Sequence, residues 1–489
     1  MPQVPVKTGY QSLGWSKSKK ASKADYKAGQ NVTISKTLTL YAVYKKLPYT
    51  VTFNNNNGTS TSKIYTSLTM YASKNQKVTL PDVPKVKGYT NLGWTTEKGE
   101  TEPEYSAGDT VKITKATQFY AVRRKSNYYT VSYYLGNGST NAAYQKLTQT
   151  VEEGTVVTFA KVPARTGYVN QGWSSKKNSE KATAKAKCTV NKNITLYAVQ
   201  KKAVQLTFHR CDGSTWQKTT LAKGSSYSLP GVRDAEGYTF MGWSTKPMQS
   251  VSPQYEAEEK ITVNGNVDLY AVVFNRTTET DLTEDQLPQV DIYKYKQVIF
   301  VGDSRTEFME NVLTGMGESA TKNVKFVCSA GKGLDWFTTT GWAQLYSIVQ
   351  HDSNSILSKK TAVIFNFGVN DLSKSADYAE YYNWIAPQLK SKGCELYFMS
   401  VNPVNRLMLP NAGRADRSEA AVRSFNQYMK ANLSSAYTYI DMYSYLKSTG
   451  YSFASDHYGT GTVDDGLHYT TRTYKRIFAK CMDSLRVPA

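Results

Sequence analysis

Gly302-Asp303-Ser304 follows an apolar run at 297–302 and leads into a helical pattern. A serine just past a buried strand, at the start of a helix, presents its hydroxyl while its backbone N–H points into the same pocket. Standing alone, Gly-Asp-Ser is a common turn and helix cap. A second run, 324–330, leads into Ser329-Ala330-Gly331-Lys332-Gly333, where glycine lets a backbone N–H approach a ligand closely. A third, 361–368, ends in Phe367-Gly368-Val369-Asn370-Asp371. The Asn370 amide either holds a turn or stabilises a developing oxyanion. Asp464-Asp465-Gly466-Leu467-His468 then sets a carboxylate three residues before an imidazole, just ahead of the last helical stretch. Hydroxyl, amide, imidazole and carboxylate are the groups that nucleophilic catalysis combines.

These segments need a scaffold. Apolar runs at 297–302, 324–330, 361–368, 395–401 and 437–443 alternate with helix-like stretches, notably 376–390, 417–433 and 472–485. That alternation predicts a parallel sheet covered on both faces. In such sheets function gathers in the loops after the carboxyl ends of the strands. All four segments fall in such loops or near the C-terminus.

In this order the segments resemble the SGNH (GDSL) hydrolases, over residues 292–486. The resemblance implies an α/β/α doubly wound parallel-sheet domain at 291–489 that hydrolyses esters. It implies Ser304 as nucleophile, His468 as general base and Asp465 as the group orienting His468. The oxyanion hole would comprise the N–H groups of Ser304 and Gly331 with the Asn370 side-chain amide, Gly331 being preferred to Gly333. Asp303 and Asp371 are expected to hold turns through backbone N–H groups. No cofactor is expected, and with only four histidines no metal site. Asp456-His457 is set aside because adjacent side chains diverge, and His351 sits in a polar stretch expected at the surface. Trp336 can stack on a substrate ring or simply pack. Asn402 and Asn405, in the loop after the fourth strand, are expected to touch substrate.

The first half of the chain is repetitive. Gly-Trp recurs at Gly14-Trp15, Gly93-Trp94, Gly172-Trp173 and Gly242-Trp243, with Trp-to-Trp spacings of 79, 79 and 70 residues. Each is preceded by Gly-Tyr, at Gly9, Gly88, Gly167 and Gly237, and followed by Tyr-Ala-Val, at Tyr41, Tyr120, Tyr197 and Tyr270. Alternating Val, Thr, Tyr and Phe between turn residues reads as strand. The copies resemble internalin B-type (Listeria–Bacteroides) surface repeats, which implies small β-rich, β-grasp-like modules at 1–47 (truncated), 48–126, 127–202 and 203–275. Trp and Tyr at fixed offsets are expected to fill each module's core. Residues 276–290, polar and acidic with one proline, read as a linker.

The chain has 489 residues, 60 Lys+Arg against 39 Asp+Glu, and a net charge of +21. Residues 281–489 hold 22 and 21 of these, which leaves 38 and 18 in residues 1–280. Of the 38 positives 32 are Lys, a hydrated point charge rather than the forked donor that reads nucleic acid, so no specific nucleic-acid partner is expected. The Lys-rich coat keeps the repeats soluble and, compatibly with that, is suited to weak, salt-sensitive attraction to an anionic wall polymer. Five widely spaced cysteines form no CxxC and imply neither a disulfide framework nor a zinc knuckle. No apolar run is long enough to span a membrane. Neither a secretory signal nor a wall anchor is recognised, the sortase-like 409–413 being a chance match, and the short first copy suggests a longer product. The expected function is an extracellular or cell-surface serine esterase acting on acyl, chiefly O-acetyl, esters of a carbohydrate or cell-wall polymer. Lipid acyl hydrolysis and non-catalytic adhesion are the rival readings.

Overall fold

A computed structural model describes residues 1–56, 62–351, 359–409, 417–453 and 464–485, apart from the His351 side chain. Asp456-His457 and most of the sortase-like segment lie outside these. The chain divides into two compact units, 1–201 and 202–489, so the fourth repeat shares a unit with the C-terminal domain.

The second repeat shows the plan of the modules. Strand Tyr49–Asn55 runs antiparallel to Met70–Ala72 and parallel to Thr117–Lys125, which pairs antiparallel with Tyr89–Thr95. Alternation sends Val51 and Phe53 inward, and a short helix, Lys63–Thr66, adds Tyr65 to the same core. The recurring Gly-Trp is a β-bulge. At Gly242 the register slips against the partner strand and φ is +141°, where a Cβ would lie 2.5 Å from the Tyr255 carbonyl oxygen. The bulge turns the next residue inward. Trp94 and Trp243 are fully buried, and each of the four indole N–H groups donates to the backbone carbonyl thirteen residues earlier, Pro2, Pro81, Ala160 or Pro230. The tryptophans of the second, third and fourth copies are therefore core, but the recurring tyrosines expected beside them are not: Tyr41, Tyr89 and Tyr238 are exposed, because each sits on the outer face of its strand or at its end. The first copy is a two-stranded sheet, Tyr10–Ser16 with Tyr41–Lys46. The fourth replaces the short helix with strand Thr215–Ala222, which carries Trp216 onto Trp243 in a stack at 5.8 Å.

The C-terminal domain is built on five strands: β1 Tyr295–Gly302, β2 Val324–Cys328, β3 Lys360–Asn366, β4 Cys394–Met399 and β5 Tyr437–Ile440. All are parallel, in the order β2-β1-β3-β4-β5. The helices are α1 Ser304–Met316, α2 Trp342–His351, α3 Ser375–Lys390, α4 Glu419–Asn432, α5 Met442–Thr449 and α6 Thr471–Ser484. Successive β1 residues feed opposite cores. Ile299 and Val301 join the core covered by α2, α3 and α4, whereas Val298 and Phe300 join the one covered by α1, α5 and α6. This is an α/β/α doubly wound sandwich. The second core also takes in Met241, Val272 and Phe274 of the fourth repeat.

Residues 276–290 are packed rather than free. Arg276–Thr278 and Glu284–Gln286 form 3-10 turns, and Leu287 and Val290 are buried. Buried Glu279 accepts from Ser452 at 2.6 Å and from the Arg476 guanidinium at 2.9 Å. Polarity suggested a linker, but a polar residue whose hydrogen bonds are met is readily buried.

Candidate active site

Strand β1 ends at Gly302, and the Asp303 carboxylate caps α1 by accepting from the Arg305 N–H at 3.0 Å. Ser304 is thus the first residue of a thirteen-residue helix, where a backbone N–H meets no intrahelical carbonyl and the helix dipole favours negative charge. Asp303 is wholly buried. Burial pushes its carboxyl up to about 6 against the pull of Arg305, His468 and Arg417.

His468 lies two residues before Thr470, the N-cap of α6. The Asp465 carboxylate folds the intervening turn by accepting from the backbone N–H groups of Leu467 at 2.9 Å and His468 at 2.8 Å. Its other oxygen takes the His468 Nδ1–H at 2.6 Å. A carboxylate can only accept, so this contact fixes the tautomer and leaves Nε2 to accept from Ser304 Oγ at 2.9 Å. Ser304, His468 and Asp465 form one hydrogen-bonded chain. Burial raises the Asp465 carboxyl, but the hydrogen bonds and charge of His468 outweigh it, and the net shift is downward. The Phe308 ring, one helical turn after Ser304, packs on the imidazole at 4.3 Å. Such an arrangement can make a serine hydroxyl nucleophilic and return its proton to a leaving group.

Asn370 follows β3. Its Nδ2 donates to the Lys332 carbonyl at 2.7 Å, its Oδ1 accepts from Arg417, and among the described residues the second Nδ2 hydrogen has no acceptor. Lys332 sits between the two candidate glycines. Gly331 is exposed, with φ +71° and open space around it, whereas a Cβ on Gly333 would meet the Asp371 carboxylate at 2.3 Å. That carboxylate accepts from the Leu334 N–H at 2.9 Å and the Tyr378 hydroxyl at 2.7 Å, locking the Gly333 turn beside Asn370.

The expected substrate contacts are placed differently. Trp336 packs on Phe367 at 6.0 Å and over Gly341, at the edge of the core. Asn402 is buried, and its carbonyl accepts from Arg305 at 3.0 Å. Asn405 spends its amide on the Val232 carbonyl and the Asp234 carboxylate. A loop after a strand end faces substrate only if nothing covers it, and here the fourth repeat does.

Two arginines escaped the sequence reading. Arg305 is buried, and its guanidinium donates to the carbonyls of Leu467, Asn402 and Pro403 at 2.9–3.0 Å, tying the serine helix to both neighbouring loops. Arg417 orients the Asn370 amide. Arg305 adjoins the Gly-Asp-Ser motif, whereas Arg417 stands 47 residues from Asn370 and adjoins no motif.

Residues 1–43, 49–122, 129–199 and 205–272 match the Listeria-Bacteroides repeat domain, and residues 298–481 match the GDSL-like Lipase/Acylhydrolase family. The chain is similar to a Gly-rich membrane protein of Evansella cellulosilytica, 28% identical over 274 residues, or 54% of this chain and 30% of that protein. It spans about a third of the length of the curated relatives it matches. Among solved structures it is similar to an acylhydrolase from Bacteroides fragilis, with 16% identity, 42% of this chain and 92% of that one covered, and a TM-score of 0.29. An SGNH hydrolase from Slackia heliotrinireducens gives 11% identity, 39% and 100% coverage, and a TM-score of 0.28. The chain belongs to the Listeria–Bacteroides repeat family, and its C-terminal domain, matched over residues 298–481, is a GDSL-like lipase/acylhydrolase, an ester hydrolase.

Proposed function

We propose that the protein is a cell-surface serine esterase that removes acyl groups, chiefly O-acetyl, from a carbohydrate or cell-wall polymer. The hydrogen-bonded chain Ser304–His468–Asp465 carries the reading. Ser304 Oγ attacks the ester carbonyl as His468 Nε2 takes its proton, and Asp465 stabilises the imidazolium. The oxyanion is met by the Ser304 N–H, the second Nδ2 hydrogen of Asn370 and an N–H of the Gly331-Lys332-Gly333 turn, Gly333 being the better anchored. His468 returns the proton to the departing alcohol, and water, activated by the same base, releases the acid from the acyl-serine.

The carbohydrate assignment rests on the four Lys-rich repeats. Lys17, Lys19 and Lys20 are exposed, as is most of the run 181–187, a distribution suited to salt-sensitive attraction to an anionic wall polymer. A lipid substrate has one observation in its favour. A cavity of about 350 Å³ is lined by Phe308, Val312, Met316 and Tyr474, and Phe308 touches His468. Hydrolysis of p-nitrophenyl acetate, acetylated oligosaccharides and longer-chain esters decides between them. Acetyl esters are expected to be cleaved fastest, and Ser304→Ala to lose about 10³-fold or more in kcat. A rate rising with chain length favours the lipid reading, and full activity in Ser304→Ala removes the nucleophile.

A further inference from the structure

Asp234, in the fourth repeat, has a fully buried side chain. Its carboxylate accepts from the Phe240 N–H at 2.9 Å, from Asn405 Nδ2 at 2.8 Å and from the Arg276 guanidinium at 2.7 Å. The same Arg276 nitrogen reaches the Asp464 carboxylate at 2.5 Å, while its Nε donates to Thr239 at 2.9 Å. Asp464 is the immediate neighbour of Asp465. Through the second arm, the Asn405 N–H donates to the Gly466 carbonyl at 2.8 Å, inside the Asp465–His468 turn. Two arms from one buried carboxylate thus grip that turn at its entrance and at its middle.

These residues are peculiar to the fourth copy. The position three before the Gly-Tyr glycine is Val6, Lys85 and Ala164 in the other copies and Asp234 here. The position six after the Tyr-Ala-Val tyrosine is Leu47, Ser126 and Ala203, and Arg276 here. Two positions before Trp, where Met241 is fully buried, the third copy has exposed Gln171. The fourth repeat has the residues of a docked module.

We propose that the fourth repeat is a positioning element for the reaction: Arg276, anchored on Asp234, holds Asp464 and so sets the Asp465–His468 pair toward Ser304. This rests on the catalytic reading above. Arg276 touches no reacting atom and acts through the loop.

The test measures kcat and KM on p-nitrophenyl acetate, with thermal unfolding alongside, in the full chain carrying Arg276→Ala, Asp464→Asn or both. Each single change is expected to lower kcat at least tenfold with KM within about twofold, and the pair to be no slower than the slower single. Arg276→Lys restores part of the rate, since it returns the charge without the fork. Unchanged kcat with only a lower melting temperature overturns the proposal, as do losses that multiply in the double variant. Should Arg276→Ala fold poorly, Asp464→Asn, altering a mostly buried carboxylate by one atom, still decides. Ser304→Ala, run in parallel, separates the two levels. An inactive Ser304→Ala beside a fully active Arg276→Ala defeats the positioning role alone, whereas an active Ser304→Ala defeats the site and the positioning with it.

Discussion

Asp303 stands one position before Ser304 and is buried, so bulk solvent does not stabilise its charge. Its carboxyl rises from the ordinary 3.8 to about 6. A group whose folded value is raised stabilises the fold fully below the unfolded value, and that stabilisation is lost as pH climbs through the folded value. Two units correspond to roughly 3 kcal/mol. Asp303→Asn keeps a capping acceptor and cannot ionise, so it should gain on the parent by up to about 3 kcal/mol between about pH 4 and 7. Urea unfolding at both ends of that range checks this, and parallel stability profiles would contradict it. The motif residues Ser304, Asn370, Asp465 and His468 were legible because each sits in a local signature of turn and strand end. Arg305 was not, since its partners lie 97, 98 and 162 residues away and only folding reveals them. The glycine choice was equally illegible, because Gly331 and Gly333 differ in what approaches them rather than in identity.

Among the elements, the turn 464–468 has little freedom. Gly466 takes φ +65°, and a Cβ there would lie 2.3 Å from the Asn405 carbonyl oxygen. Gly466→Ala is therefore expected to push the turn off its neighbour and displace His468. A shift of about 1 Å costs on the order of 10²-fold in rate, to be read as kcat on p-nitrophenyl acetate. An unaltered kcat would mean that the loop tolerates movement. Strands β1 to β4 were legible as apolar runs bounded by turn residues. The fifth run, 437–443, was not one element. The strand stops at Ile440, and the Asp441 carboxylate caps α5 by accepting from the Ser444 N–H at 3.1 Å. Hydrophobicity runs through that switch unchanged, so composition hides it.

For the whole molecule, the charge split and the division into units fall at different places. The basic excess belongs to residues 1–280, whereas the compact C-terminal unit begins at residue 202. A fragment 202–489 is expected to keep the kcat of the full chain and to lose most of its low-salt retention on an anionic polymer. A fragment 281–489 should fold poorly, because it strips Met241, Val272 and Phe274 from a shared core and leaves Lys447 without the Glu256 carboxylate it meets at 2.7 Å. Size-exclusion profiles and ester hydrolysis of both fragments check this. A well-folded, fully active 281–489 would show that the shared core is dispensable. The repeats were legible from their spacing, yet nothing in that spacing says that one copy is docked. That lies in single substitutions such as Asp234 and Arg276, which a periodic pattern averages away.

The Gly450 backbone, where a Cβ would sit 2.3 Å from the Phe274 ring, fixes how closely the fourth repeat approaches α5. So tight a fit bears on recombination. Exchange of the array upstream of residue 202 leaves the fitted surfaces of the compact unit 202–489 as they are. A crossover between residues 202 and 290 would join surfaces never fitted to each other. The compact unit is thus a hydrolase with one repeat attached, and it begins one module earlier than the hydrolase family match at residue 298.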